Sequence, residues 1–294
     1  MGTIIRLRNW LLLCAGVVLI LTGCAHTTPF KDDYYFRALG RPSEMVVTMN
    51  LDNSRELYEE VAKQQDTASI DAIVTRSDRI SVSIDTPSEG SDEPRYYGGV
   101  EGNFGYLTAN TALLVSKDWK RQEKDSVAYF GNDNTDLKVT IPKNGIVIFS
   151  NDDIKDVYMK TYKERELFIP YKISQKMGEG LFGMYLESPD DIMYVTDEFP
   201  RTMLLSIDSV WLVVTGQKDD YRVTGMVETK NRQASRVFGT LLKMNYLMRI
   251  RAMENPIGQW QDDIQIDDQD IMIENMYIDN EMVMGLFSKI LTNL

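Results

Sequence analysis

Two distant segments of this 294-residue chain carry the same apolar spacing on either side of a four-residue loop. They are Val139-Thr-Ile141-Pro-Lys-Asn-Gly-Ile146-Val-Ile148 and Ile264-Gln-Ile266-Asp-Asp-Gln-Asp-Ile271-Met-Ile273. Residues alternating about a turn read as a β-hairpin, and Asn144-Gly145 is a strong turn signal because both residues tolerate positive φ. A hairpin repeated in each half of a chain constrains the fold more than composition does, since a duplication changes the domain count.

The correspondence extends upstream. Glu44 to Leu51 and Leu181 to Leu186 each read as a strand running into a helix cap, and Asp78 to Ile84 parallels Asp208 to Val214. Val100 to Phe104 parallels Val223 to Val227, and each is followed by a stretch with helical spacing, Leu107 to Trp119 and Gln233 to Ile250. Closing helices are predicted over Asp152 to Tyr162 and Asp279 to Leu291, each with Asp, Asn or Ser near its start. Strand, helix, strand, strand, helix, hairpin, helix is buried economically by an antiparallel sheet. The predicted fold is therefore α+β: an internally duplicated antiparallel sheet with helices packed on one face, built of ferredoxin-like units with an added hairpin. The repeats span 43–163 and 181–294. The segment 164–180 connects them, with Pro170 and two glycines as linker and strand entry.

The single His26 and both cysteines, Cys14 and Cys24, fall in the first 26 residues. The remaining body lacks the imidazole that activates Ser or Cys nucleophiles and the ligands of structural zinc, so these chemistries are excluded from it. With 32 basic against 44 acidic residues the chain repels phosphate backbones, and nucleic acid is not expected as a partner. No cofactor or metal is implied.

The amino terminus carries Arg6 and Arg8, then an uncharged apolar run from Trp10, then Leu21-Thr22-Gly23-Cys24. This is the tripartite form of a secretory signal peptide. Its last four residues resemble the lipobox of bacterial lipoprotein precursors. The resemblance implies signal peptidase II cleavage between Gly23 and Cys24, a diacylglyceryl group and further acylation such as palmitate on Cys24, and membrane anchoring through that lipid. Residues 1–23 would be the signal peptide and 24–42 a lipidated tether containing His26. Ala25, where an inner-membrane retention signal would have Asp, points by the same resemblance to the outer membrane. Several acyl chains hold a body at the bilayer without any protein segment entering it.

Motifs for chemistry are sparse. Gly178-Glu-Gly180-Leu-Phe-Gly183 spells G-x-G-x-x-G but precedes a strand, the reverse of a dinucleotide site. Asp262, Asp263, Asp267, Asp268 and Asp270 lack EF-hand spacing and read as a hairpin loop, as Asn132 to Asp136 reads as a polar loop. Glu101, Glu187 and Glu228 are the first carboxylates to consider for glycan hydrolysis. Tyr34-Tyr35-Phe36, Tyr96-Tyr97 and Tyr129-Phe130 could form a recognition surface or a core, and the Met-rich stretch Met272 to Met284 could line a groove. The reading that follows is a non-enzymatic envelope lipoprotein, binding or scaffolding an unidentified protein or glycan. Its alternatives are a carboxylate-dependent hydrolase of cell-wall glycan and a carrier of an apolar ligand.

Overall fold

Met45–Asn50 (β1) is apolar on both faces and lies at the middle of the molecule, with its four central residues buried. A strand buried on both faces must have cover on both, which sets the architecture. In the computed structural model the described residues are 30, 33–55, 57, 76–85, 95–188, 205–217, 220–252 and 262–285. Their strands are β1, β2 (Ser77–Asp85), β3 (Arg95–Gly102), β4 (Trp119–Lys124), β5 (Val127–Asn132), β6 (Lys138–Lys143), β7 (Ile146–Ser150), β8 (Phe182–Glu187), β9 (Ile207–Gln217), β10 (Asp220–Thr229), β11 (Ile264–Asp267) and β12 (Asp270–Ile278). The helices are α1 (Tyr106–Val115), α2 (Ile154–Tyr158), α3 (Tyr171–Glu179) and α4 (Arg232–Ala252), with a 3-10 turn at Tyr35–Ala38 and a π-helix at Met159–Glu164.

All twelve strands join one antiparallel sheet in the order β11-β12-β10-β9-β8-β1-β2-β3-β7-β6-β5-β4. The duplication is visible in that order. Outward from β1 run β2, β3, β7 and β6; outward from β8 run β9, β10, β12 and β11, their counterparts. The halves meet where β1 pairs with β8, Val47 opposite Met184 and Met49 opposite Phe182, so the two repeats share one continuous sheet.

Both hairpins recognised in the sequence form, with two-residue rather than four-residue turns. Gly145 takes φ +83° between Lys143 and Ile146, and Asp268 takes φ +49° between Asp267 and Asp270. The register of β6 against β7 slips between Thr140 and Lys143, where Pro142 has no N–H to donate. The first half also holds the hairpin β4–β5, which has no counterpart among the described residues of the second. It was not foreseen because Lys120 to Lys124 are all polar and exposed and show no alternation.

Alternating side chains divide the core in two. On one face Val47, Met49, Val82, Val100, Phe182, Val214 and Ile273 pack with Leu113 of α1 and Leu242 of α4. This is the side on which α1 and α4 lie, and on it α4 buries Tyr246 and Ile250; α2, the closing helix of the first repeat, packs on the other face. On the opposite face Val46, Ile146, Ile148, Tyr185, Trp211 and Val213 are covered by Tyr35, Phe36, Leu39, Ile154, Val157, Ile169 and Met177. The segment 164–180, read as linker, therefore contains a helix: α3 buries Ser174 and Met177, and Gly178 closes against the Tyr34 ring. Asp153 starts α2 by accepting from the Lys155 N–H at 3.1 Å. Asp279 does the same for Met282 at 2.8 Å.

The expected amphipathic stretch after β3 differs from expectation. Helix α1 buries no side chain, and Leu107 and Val115 are 76% and 75% exposed, because β4 and β5 lie at the sheet edge and leave little to pack against.

Candidate anchoring site

Cys24, Gly23 and the rest of the lipobox lie outside the described residues, as do Cys14 and His26. The chain becomes described at Phe30, six residues after Cys24, and it enters directly into the core. Tyr35, Phe36 and Leu39 are 0% exposed and Phe30 is 8% exposed. Within the predicted tether 24–42, Phe30, Tyr35, Phe36, Ala38 and Leu39 are thus core residues, because this aromatic run supplies the cover that the second sheet face requires, while Arg41 and Pro42 are exposed. The run Tyr34-Tyr35-Phe36 is accordingly packing, not a recognition surface.

Backbone and side chain hold this segment down together. The N–H groups of Phe168 and Ile169 donate to the Arg37 carbonyl at 2.7 and 3.1 Å. Tyr35 hydroxyl bonds Thr161 Oγ1 at 2.7 Å, and Thr161 Oγ1 donates to the Val157 carbonyl. Burial pushes the Tyr35 phenol far above its ordinary range, so it stays neutral. Two glycines admit the rings: a Cβ on Gly99 would stand 2.3 Å from Tyr35, and one on Gly178 would stand 2.2 Å from Tyr34.

Beneath the segment lies a buried ion pair. Arg79 Nη1 is 3.6 Å from Glu101 Oε2, and its guanidinium stacks over Tyr34 at 4.5 Å and Phe36 at 5.7 Å. Arg79 also donates weakly to the Gly178 carbonyl at 3.4 Å. Among the described residues neither oxygen of Glu101 receives a hydrogen bond, and Glu101 is 1% exposed. Burial pushes its carboxyl up to about 7, with Arg79 pulling the other way.

Of the three carboxylates selected from the sequence, Glu101 lies apart from the other two. Glu187 and Glu228 both flank Ser209 in register, on β8 and β10, with two strand spacings, about 9.5 Å of backbone, between them. Ser209 Oγ donates to Glu228 at 2.5 Å. Glu101 pairs in register with Ile146 and Arg79, whereas Glu187 lies at the level of the opposite end of β1. Sequence reasoning missed Glu44, which is buried at 6% exposure and accepts from Ser83 Oγ at 2.8 Å and Tyr97 hydroxyl at 2.6 Å. A Glu opening an apolar strand was the available signal.

Of the remaining motifs, the G-x-G-x-x-G glycines end α3 and enter β8. In the acidic run, Asp263 accepts from Tyr246 hydroxyl at 2.7 Å and Asp267–Asp270 form the β11–β12 turn. No group of three or more His, Cys, Asp or Glu is placed to hold a metal among the described residues. Met276 and Met282 line a pocket of about 140 Å³ with Leu242, Tyr246 and Arg249. That is well below the few hundred Å³ of an ordinary ligand site.

A twelve-stranded antiparallel sheet with a buried amino-terminal segment defines an α+β fold that other proteins share. The chain is similar to TP0453 in crystal form IV, with a TM-score of 0.60 at 14% identity over 89% of this chain and 100% of that one. It is also similar to crystal form I, with a TM-score of 0.59 at 13% identity over 88% and 98%. These likenesses establish the fold alone. No protein-family model matches the chain, and no curated protein matches it.

Proposed function

We propose that this protein is an exported envelope lipoprotein, cleaved between Gly23 and Cys24, acylated on Cys24, and held at the membrane, the outer one by the sign of Ala25. Its body is a non-enzymatic binding or scaffold module for another envelope component. The observation that carries the reading is the seating of the chain directly behind the lipobox: Phe30, Tyr35, Phe36 and Leu39 are core residues. Tension on the lipid is thereby transmitted to the sheet, as a scaffold requires. No helix among the described residues is long and apolar enough to cross a membrane.

The continuous β1–β8 seam supports the scaffold over the hydrolase, because glycan cleavage between the halves needs a cleft at that seam. The test is Cys24→Ser in the full-length chain, followed by palmitate labelling and membrane fractionation. Label incorporation and membrane partition are both expected to be lost. Unchanged partition of the variant would overturn the anchor.

A further inference from the structure

From the chain's exit point beside Phe30 and the cations around it, we infer that the Phe30 end of the sheet rests on the phosphate headgroups of the membrane holding Cys24. The inference rests on acylation of Cys24. Six residues from Cys24 to Phe30 reach at most about 20 Å when fully extended. Phe30 is fixed in the core, so whatever surrounds it is held within that distance of the lipid glycerol.

Cations surround it. Arg165 lies over the Phe30 ring at 4.4 Å, and Lys143 Nζ stands 5.2 Å from that ring and 5.8 Å from Tyr162. Lys163 lies over Tyr158 at 5.7 Å, and Tyr158 stacks on Tyr162. Lys143 and Lys163 are exposed and have no ion-pair partner among the described residues. The acidic groups nearby are Asp33, engaged by Arg37 and Arg165, and Glu164 and Glu166, exposed beside Lys163 and Arg165. The groups just named around Phe30, Lys143, Lys163, Arg165 and Arg37 against Asp33, Glu164 and Glu166, are four basic to three acidic, while the whole chain carries 32 against 44.

An acidic protein tethered this closely is oriented by its local exception. Anionic phosphates attract Lys143, Lys163 and Arg165 and repel the remainder, with about 1 kcal/mol per Lys or Arg near such a surface. Tyr158 and Tyr162 suit the same boundary, presenting an apolar ring with a polar tip. The opposite end of the sheet, with Arg95, Asp152 and the loop at Asn134, lies a strand length away, about 25 Å for the eight residues of β3. It faces the aqueous side and is the surface offered to a partner.

The experiment uses full-length, acylated protein in vesicles of phosphatidylcholine with phosphatidylglycerol and a headgroup spin label. Once Cys24 is acylated the mature chain has no other thiol, so a fluorophore is placed through Glu164→Cys or, at the far end, Asn134→Cys. Quenching at 164 is expected to be at least twofold stronger than at 134. Reversal by Lys163→Glu with Arg165→Glu, read at 164, is expected to abolish that difference while the protein stays on the vesicles. Lys163→Ala, which removes one charge without adding another, is expected to weaken the difference. Equal quenching of the two positions on bound protein overturns the orientation and leaves the anchor standing. Failure of acylated protein to bind vesicles overturns both.

Discussion

Arg79 on β2 faces Glu101 on β3 at 3.6 Å under the ring of Tyr34, so the ion pair that spans two strands of the sheet also supports the segment descending from Cys24. The pair is buried and incompletely hydrogen-bonded, an arrangement in which losing one partner costs more than losing both.

Arg79→Met is therefore expected to destabilise the protein by up to about 3–5 kcal/mol above pH 7, where Glu101 must either stay charged without its counter-ion or take up a proton to remain buried. Arg79→Met combined with Glu101→Leu is expected to recover much of that loss. Denaturant unfolding of the two variants measures it, and a double variant weaker than the single would contradict the argument.

The raised Glu101 carboxyl predicts a pH dependence of definite sign. Its value is about 7 in the folded protein and 4.5 ordinarily, so between those values the folded state binds the proton that the unfolded state has released. The contribution of Glu101 is complete below about pH 4.5 and is lost as pH rises toward 7. Glu101→Gln should remove this component. The difference in melting temperature between wild type and variant, followed from pH 4.5 to 8, isolates it from other groups; a flat difference would count against the assignment.

Phe36→Ala should cost about 3–5 kcal/mol, because its ring is wholly buried in the second core face. Tyr35→Phe should cost only about 1 kcal/mol, because Thr161 keeps its bond to the Val157 carbonyl when the phenol is removed. Equal losses would show that the segment is held by polar contacts and not by packing.

Gly178→Ala is expected to push the Tyr34 ring off Arg79, since the added Cβ would lie 2.2 Å from it. Overpacking of this kind costs about 1–3 kcal/mol. It should also expose the amino-terminal segment to protease, and cleavage no faster than in the wild type would refute the clamp.

The shared sheet predicts one unfolding transition for both repeats. Val47→Pro deletes an N–H from a strand paired on both sides and leaves a buried carbonyl without its partner, at a cost of about 1–3 kcal/mol, and should lower the stability of the β8–β12 half together with its own. Hydrogen exchange in β10 reports this, and unaltered protection there would mean that the halves unfold independently.

The strand order and its hairpins could be read directly because their signals are local. Asn144-Gly145 favours a turn by itself, and alternation over Ile271 to Ile273 needs no partner to be seen. The lack of His and Cys after His26 likewise removed whole classes of chemistry from the sequence reading. The hairpin β4–β5 escaped because an exposed edge strand need not alternate, and α3 escaped because Pro170 and the glycines hid a single buried turn.

What folding decided is which of these signals meet. Tyr34-Tyr35-Phe36 reads equally well as tether, recognition surface or core, and becomes core because β1 and its neighbours are apolar on both faces and need a second cover. Arg79 becomes a partner of Glu101, and Lys143 a neighbour of Phe30, through strand register and chain reversal across more than a hundred residues in the second case. Local propensity carries no record of those distances, and only the packed sheet sets them.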